Sequence, residues 1–246
     1  AISAGDSIHA VIKSFSENHG GKANSLTAPN PMAQKELLIK AYHSSLAKRV
    51  SYIETHGTGT NLGDPVEIDA LTQAFAVLHP EADKESIYLG AVKTNVGHLE
   101  PAAAIPSLMK VIFALKHKVL PANINFKKQN PFIQLEGTPF KLLTNNTPWT
   151  SKNNLVAGVS SFGFGGSNAH MVLTNCDDQP VIPQLSSNAE SYLFTLSARS
   201  THSLLMMRLA LIDFLKNEGK EHSLQSISYT LNIGREHFEY RLAVIS

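Results

Sequence analysis

Three times in this chain a short run of strand-forming residues ends in a polar, glycine-bearing stretch. SYIE leads into THGTGTNLGDP, IYLGAV into KTNVGH, and LVAGVSS into FGFGGSNAH. The first two stretches pass into helical patterns and the third returns as a strand. Strands alternating with helices in this way fit an α/β fold with a mixed sheet, and such sheets hold their sites where strands end.

IHAVIKSF (Ile8–Phe15) reads as a first strand, followed by a loop over Ser16–Pro31. Leu38, Tyr42 and Leu46 lie four apart and make one helical stripe through KELLIKAYHSSLAKR. Asp64, Pro65 and Glu67 read as N-cap, first helical residue and capping-box acid of a helix that buries Ile68, Leu71, Phe75 and Leu78. Pro101 opens a helix with Leu108, Ile112 and Leu115 inward, and Leu155–Ser161 and His170–Leu173 read as adjacent strands. After Cys176 a polar, proline-containing linker (176–190) leads to a strand, an amphipathic helix, a short helix and a last strand. The expected division is therefore a main α/β domain over 1–175 and a small α/β linker domain over 191–246.

With 246 residues the chain can bury a substantial core, and a net charge of +1 gives no reason to expect a nucleic-acid or anionic-membrane surface. Cys176 is the only cysteine. That excludes an intramolecular disulfide and any multi-cysteine metal site, and it fits a reducing cytoplasm. The first residues lack the apolar core of a signal peptide. The longest apolar run, Val111–Leu115, is too short to span a bilayer. The chain begins without methionine, directly before a strand-like run, as a fragment would.

Each polar stretch has a chemical and a purely structural reading. Gly57 and Gly59 let the backbone approach a ligand that His56 addresses, although a tight turn with a surface histidine explains the same residues. His98 precedes a helix start, whose positive end disfavours an imidazolium, with Lys93 five residues before it. A capping histidine and a solvated lysine are the plain alternative. Gly163 and Gly165 free backbone N–H groups for an oxyanion, with Phe164 between them as a wall or gate, or else they form a simple β-turn. No dinucleotide or P-loop spacing is present. His56 and His98 have no third metal ligand at recognisable spacing, so no metal site is expected.

Taken in order, HGTGT with GDPVEIDAL, KTNVGHLE with its alanine-rich helix, and SSFGFGGSNAH resemble the motifs of a β-ketoacyl synthase. The resemblance spans about residues 5–175. It is to the C-terminal half of a ketosynthase domain of modular polyketide synthases, with the thiolase-like fold. NHGGKANSLTAPNPMAQ is similar to ketosynthases served by a separate acyltransferase. The tail is similar to the linker domain that follows them. A thiolase proper would carry a second cysteine near SFGFGGSN, where this chain has none.

The resemblance implies an acyltransferase that performs decarboxylative condensation of a bound acyl thioester with malonyl-acyl carrier protein. His56 and His98 would donate hydrogen bonds to the enolate oxygen, with Lys93 supporting His98 electrostatically. The Phe164 N–H would serve the oxyanion hole between Gly163 and Gly165, and its ring would gate the acyl pocket. Thr58 and Thr60 would contact the phosphopantetheine arm, with Asn95 supporting that loop. No cofactor is expected on this chain, since substrates arrive on the carrier protein's phosphopantetheine. The family's nucleophilic cysteine lies in the N-terminal half, and Cys176 lacks its strand-to-helix elbow, so this chain alone is expected to be inactive in condensation. Implied partners are acyl carrier protein, the N-terminal half, a separate acyltransferase and a second copy in a homodimer. A noncatalytic chain-length-factor-like partner and an acyltransferase-docking scaffold are the alternatives. The family usually has glycine at position 104 and a small residue at 106, where this chain has Ala104 and Pro106.

Overall fold

The structure, a computed structural model, describes residues 6–21, 28–151, 154–176 and 191–246. Apart from Cys176 the expected linker lies outside them, as do the chain's first five residues. The chain divides into two compact units, Ala1–Val181 and Ile182–Ser246.

In chain order the first unit comprises β1 (Val11–His19), α1 (Pro31–Ala41), α2 (Ser44–Ala47), β2 (Val50–Glu54), α3 (Gly63–Leu78), β3 (Ile87–Gly90) and α4 (Lys93–Val96). A single 3₁₀ turn at Glu100–Ala102 precedes α5 (Ala104–His117), β4 (Val119–Leu120), β5 (Phe140–Leu142), β6 (Thr147–Pro148), β7 (Val156–Phe162) and β8 (Ser167–Thr174). The main sheet runs β1-β8-β7-β2-β3-β5. β7, β2, β3 and β5 pair in parallel, while β8 is antiparallel to both β7 and β1. The mixed sheet expected from the alternation is present. β4 and β6 form a separate two-stranded ribbon.

Alternation along the strands divides the core into two layers. Ile53, Leu89, Val156 and Val172 pack with Leu38, Ala41, Leu71 and Phe75 of α1 and α3. Their neighbours Tyr52, Ala157 and Leu173 pack with Val111, Ala114 and Leu115 of α5. Full burial of such side chains contributes about 1.5–3 kcal/mol each.

Four local readings are corrected. β1 extends to His19, because Ser16–His19 keep pairing with Ser167–His170. The stripe through Leu38, Tyr42 and Leu46 is broken: α1 stops at Ala41 and Tyr42 turns extended (φ −103°, ψ 124°). Its ring then packs edge-on against Phe75 and its hydroxyl meets the buried His170 at 2.9 Å. Pro101 sits in the 3₁₀ turn, and α5 begins three residues later, with Pro106 in its first turn where a missing N–H costs no helical bond. Finally, α3 starts at Gly63, and Asp64 and Glu67 do not cap it; both reach out to the preceding loop.

The second unit has β9 (Leu193–Ala198), α6 (Thr201–Lys216), a 3₁₀ turn at Glu218–Glu221, α7 (Leu224–Ile233) and β10 (Tyr240–Ile245), with β9 and β10 antiparallel. Ser200 and Ser223 cap the two helices by accepting the N–H groups of Ser203 and Ser226. The expected order of strand, helix, short helix and strand is found. No helix among the described residues is long and apolar enough to cross a membrane.

Two tyrosine hydroxyls lie over glycines of neighbouring strands. A Cβ on Gly158 would stand 2.2 Å from the Tyr42 hydroxyl oxygen and 2.8 Å from the His170 ring, and one on Gly90 would stand 2.1 Å from the Tyr52 oxygen. Gly158→Ala should therefore cost about 1–3 kcal/mol by overpacking. In urea unfolding, Gly158→Ala combined with Tyr42→Phe should lose less than the sum of the two single losses.

Candidate active site

Because β7, β2 and β3 run parallel, their C-terminal ends lie along one edge of the sheet, and the polar stretches follow those ends. β2 leaves the sheet at Thr55, whose N–H and hydroxyl both donate to the Gly90 carbonyl (2.8 and 2.9 Å). His56 comes next. The loop after it hangs from carboxylates of α3: Glu67 accepts the N–H groups of His56 (2.8 Å) and Gly57 (3.0 Å), and Asp64 accepts that of Gly59 (3.0 Å). Gly57 has φ +48°, and a Cβ there would meet the Ala91 methyl at 2.7 Å, so only glycine fits. Thr58 and Thr60 share a hydroxyl hydrogen bond of 3.1 Å, and the Thr60 hydroxyl also accepts the Gly63 N–H.

The His56 and His98 rings stand edge to face, 5.7 Å between centroids, and the Phe162 ring lies 5.6 Å from His56. The Nδ1 of His98 accepts the Glu100 N–H at 2.9 Å, which leaves Nε2 to carry the proton of the neutral ring. Burial, and then the nearby Lys93 and His98, hold the His56 imidazolium down to about pKa 4. His56 is therefore set up as a neutral donor, and His98 has Nε2 free to donate while Nδ1 accepts. The buried Nδ1 of His56 has no hydrogen-bond partner among the described residues.

The Lys93 ammonium, expected beside His98, donates its hydrogen bond to the carbonyl of His56. Burial lowers its pKa, while Glu67, Glu54 and Asp64 oppose that fall. Burial also pushes the Glu67 carboxyl up to about 7, against the pull of the Gly57 and His56 N–H groups.

A cavity of about 590 Å³ joins His56, His98, Thr58, Thr60 and the turn Phe162–Gly166. The Phe164 ring is 76% exposed at its mouth. Gly163 and Gly165 line the cavity with it; Asn95 does not, being exposed and accepting a hydrogen bond from the Thr94 hydroxyl. Cys176 lies elsewhere, lining a different cavity with Ser7, Lys116 and Asn175.

Two sets of residues at this site do more than their sequence pattern suggests. Glu67 and Asp64 look like caps because the capping-box spacing also suits an acid that holds the loop before its helix. His19 ends β1 and bonds across to the turn: its ring meets the Gly165 carbonyl and the Gly21 N–H, both at 2.9 Å, while Gly20 N–H donates to Gly166. A histidine between asparagine and paired glycines is the available signal, and only the strand order reveals its target. Among the described residues no group of three or more His, Cys, Asp or Glu could hold a metal ion.

The family model for the beta-ketoacyl synthase C-terminal domain matches residues 9–127, and that for the ketoacyl-synthetase C-terminal extension matches residues 130–245. The chain belongs to the β-ketoacyl synthases. This β-ketoacyl synthase segment is 40% identical to the polyketide synthase PksN of Bacillus subtilis, over 100% of the chain and 5% of PksN. It is also 40% identical to one of the phenolphthiocerol/phthiocerol polyketide synthase polypeptides of Mycobacterium tuberculosis, over 100% of the chain and 17% of that protein. The ketosynthase from module 6 of the Bacillus subtilis bacillaene synthase superposes with a TM-score of 0.86 at 33% identity, covering 99% of this chain and 42% of that one. A ketosynthase domain of the Streptomyces albus oxazolomycin system gives 0.86 at 36% identity, covering 99% and 41%. The fold is thiolase-like, and the chain spans less than half of the solved ketosynthases it matches.

The depressed pKa of His56 has a consequence for stability. A histidine kept neutral in the fold binds fewer protons than the unfolded chain between pH 6.5 and about 4, so stability is full above pH 6.5 and falls as pH drops through that window. His170, fully buried and lowered to about 3, adds the same sign over a wider window. Glu67, with its raised pKa, contributes with the opposite sign, adding stability as pH falls from about 7 to 4.5, so the test is differential: relative to wild type, His56→Asn should lose less urea midpoint between pH 6.5 and 4. An unchanged slope in that variant would refute the assignment to His56.

Proposed function

We propose that this segment supplies the decarboxylating half of a polyketide-synthase condensing site. The observation that carries the reading is the facing pair of imidazoles, His56 and His98, in one cavity with the Phe162–Gly166 turn. A malonyl thioester bound there would lose carbon dioxide as its Cα–carboxylate bond breaks and the electron pair moves into an enolate. The two N–H donors meet the oxygen on which charge develops, and they gain most at the transition state. The enolate carbon then attacks an acyl thioester carbonyl, forming the new C–C bond, and the thiolate leaves.

That acyl thioester would sit on a cysteine of the N-terminal half. Cys176 is remote from the histidine cavity, so the isolated chain is expected to be inactive in condensation. Ile105, Met109 and Phe113 form an exposed apolar stripe along α5, a surface that the N-terminal half would cover. Thr58 and Thr60 would meet the phosphopantetheine arm of acyl carrier protein, and Phe164 would gate the acyl pocket and offer its N–H to the oxyanion. We assign the malonyl group to a separate acyltransferase, in keeping with NHGGKANSLTAPNP, and the working form to a homodimer in the cytoplasm on the family resemblance and the single cysteine.

The test uses the complete ketosynthase. His56→Ala and His98→Ala should each slow release of carbon dioxide from malonyl-acyl carrier protein by about 100-fold or more, the scale of a lost oxyanion donor. Loading of an acyl group onto the enzyme should persist. Carbon dioxide release at the wild-type rate in both variants would refute the reading.

A further inference from the structure

Glu54 is a carboxylate buried to 0% exposure two residues before His56. One oxygen accepts the Val92 N–H, and the other accepts the Tyr52 hydroxyl and lies 3.0 Å from the Lys110 ammonium. These partners come from different parts of the site. Val92 immediately precedes Lys93, and Lys110 stands on α5, the helix that follows His98. Tyr52 and Glu54 share one face of β2, the face against which α5 packs, and this is why a residue of α5 can reach the carboxylate.

We propose that Glu54 and Lys110 act as a positioning pair that fixes the β2, β3 and α5 segments bearing His56, Lys93 and His98 in the geometry needed for decarboxylation. The inference deepens the ketosynthase reading and rests on it. Neither residue lines the cavity of the two histidines, so neither touches substrate.

Three features favour a positioning role over a merely structural one. A buried ion pair is weak evidence for stability, since apolar replacements of similar size often serve as well. What such a pair does is to punish displacement: moving α5 or the β3 end strands a charge in the core. The partners here are also specific to the catalytic segments, one bond to the residue before Lys93 and one to the helix after His98. Lastly, Glu54 is among the acids whose charge favours the Lys93 ammonium, so its placement also affects the electrostatics of that cation.

The experiment uses the complete ketosynthase and two separate readouts, acyl loading onto the enzyme and carbon dioxide release from malonyl-acyl carrier protein. Glu54→Gln, Lys110→Met and the double variant are compared with Lys110→Arg, which keeps the charge. The double variant leaves no unpaired charge and should fold. Its decarboxylation should fall by about 100-fold, the cost of misplacing reacting groups by about 1 Å, with loading unchanged. Lys110→Arg should recover part of the rate lost in Lys110→Met. Loading and decarboxylation falling together, a double variant that decarboxylates at the wild-type rate, or a double variant that cannot fold would each overturn the proposal. A wild-type enzyme that loads and never decarboxylates would instead overturn the ketosynthase reading, and the positioning role with it.

Discussion

Parallel pairing of β7, β2 and β3 is the constraint on which the site depends. Parallel strands begin at one edge of a sheet and end at the other, so segments over a hundred residues apart in sequence deliver their last residues to the same edge. The antiparallel return of β8 brings β1 back in the same sense as β7, and His19 thereby arrives beside the turn that follows β7. A shift of one residue in any of these registers would turn the side chains to the opposite face. The edge chemistry and the two-layered core are thus set by one pairing pattern.

Held that way, the polar ends still need anchoring, because glycine-bearing loops supply little packing of their own. The anchors are buried or half-buried carboxylates accepting backbone N–H groups. Glu67 and Asp64 hold the loop after His56, and Glu54 holds the start of α4. An acid suits this task because it accepts on two oxygens and competes with no backbone donor. Burial raises its cost, and the adjacent amides, the Tyr52 hydroxyl and the Lys110 ammonium offset it. Where the core needs a neutral polar link, the fold uses the chain Ser160, His170 and Tyr42, closed over Gly158, which has no side chain to block it.

Much of this was legible in the residues. Strand runs at Val50–Glu54, Ile87–Gly90 and Val156–Phe162 are rich in apolar strand formers, and the helices after the first two show apolar stripes. Local pattern failed where a long-range partner decided the outcome. Tyr42 fits the helical stripe of its neighbours, yet Phe75 and His170 draw it out of the helix. Glu67 fits a capping box, yet the amides of His56 and Gly57 are the better-placed donors. Ser16–His19 look like loop because they are polar, but β8 offers them a full ladder. In each case the sequence spacing is compatible with both answers, and only the third dimension chooses. The same holds for Lys93, whose five-residue spacing to His98 does not reveal that its ammonium reaches back to the carbonyl of His56.

On the decarboxylating role proposed for it, the histidine pair has a charge arrangement that follows from what such a site must avoid. An imidazolium at His56 would bind the substrate carboxylate and stabilise the ground state as much as the transition state, which gives no acceleration. Burial and the Lys93 cation keep that proton off the ring. Burial in turn lowers the pKa of that cation, and the facing Glu67, Glu54 and Asp64 oppose the fall. The result is a fixed positive charge on the backbone behind His56, balanced at longer range by acids that point at amides. Its field is small for a neutral ring and large for the negative charge that grows on an enolate oxygen in front of it. In the proposed reaction, N–H donors backed by a half-buried, compensated cation would bind the developing charge in preference to the charge already present.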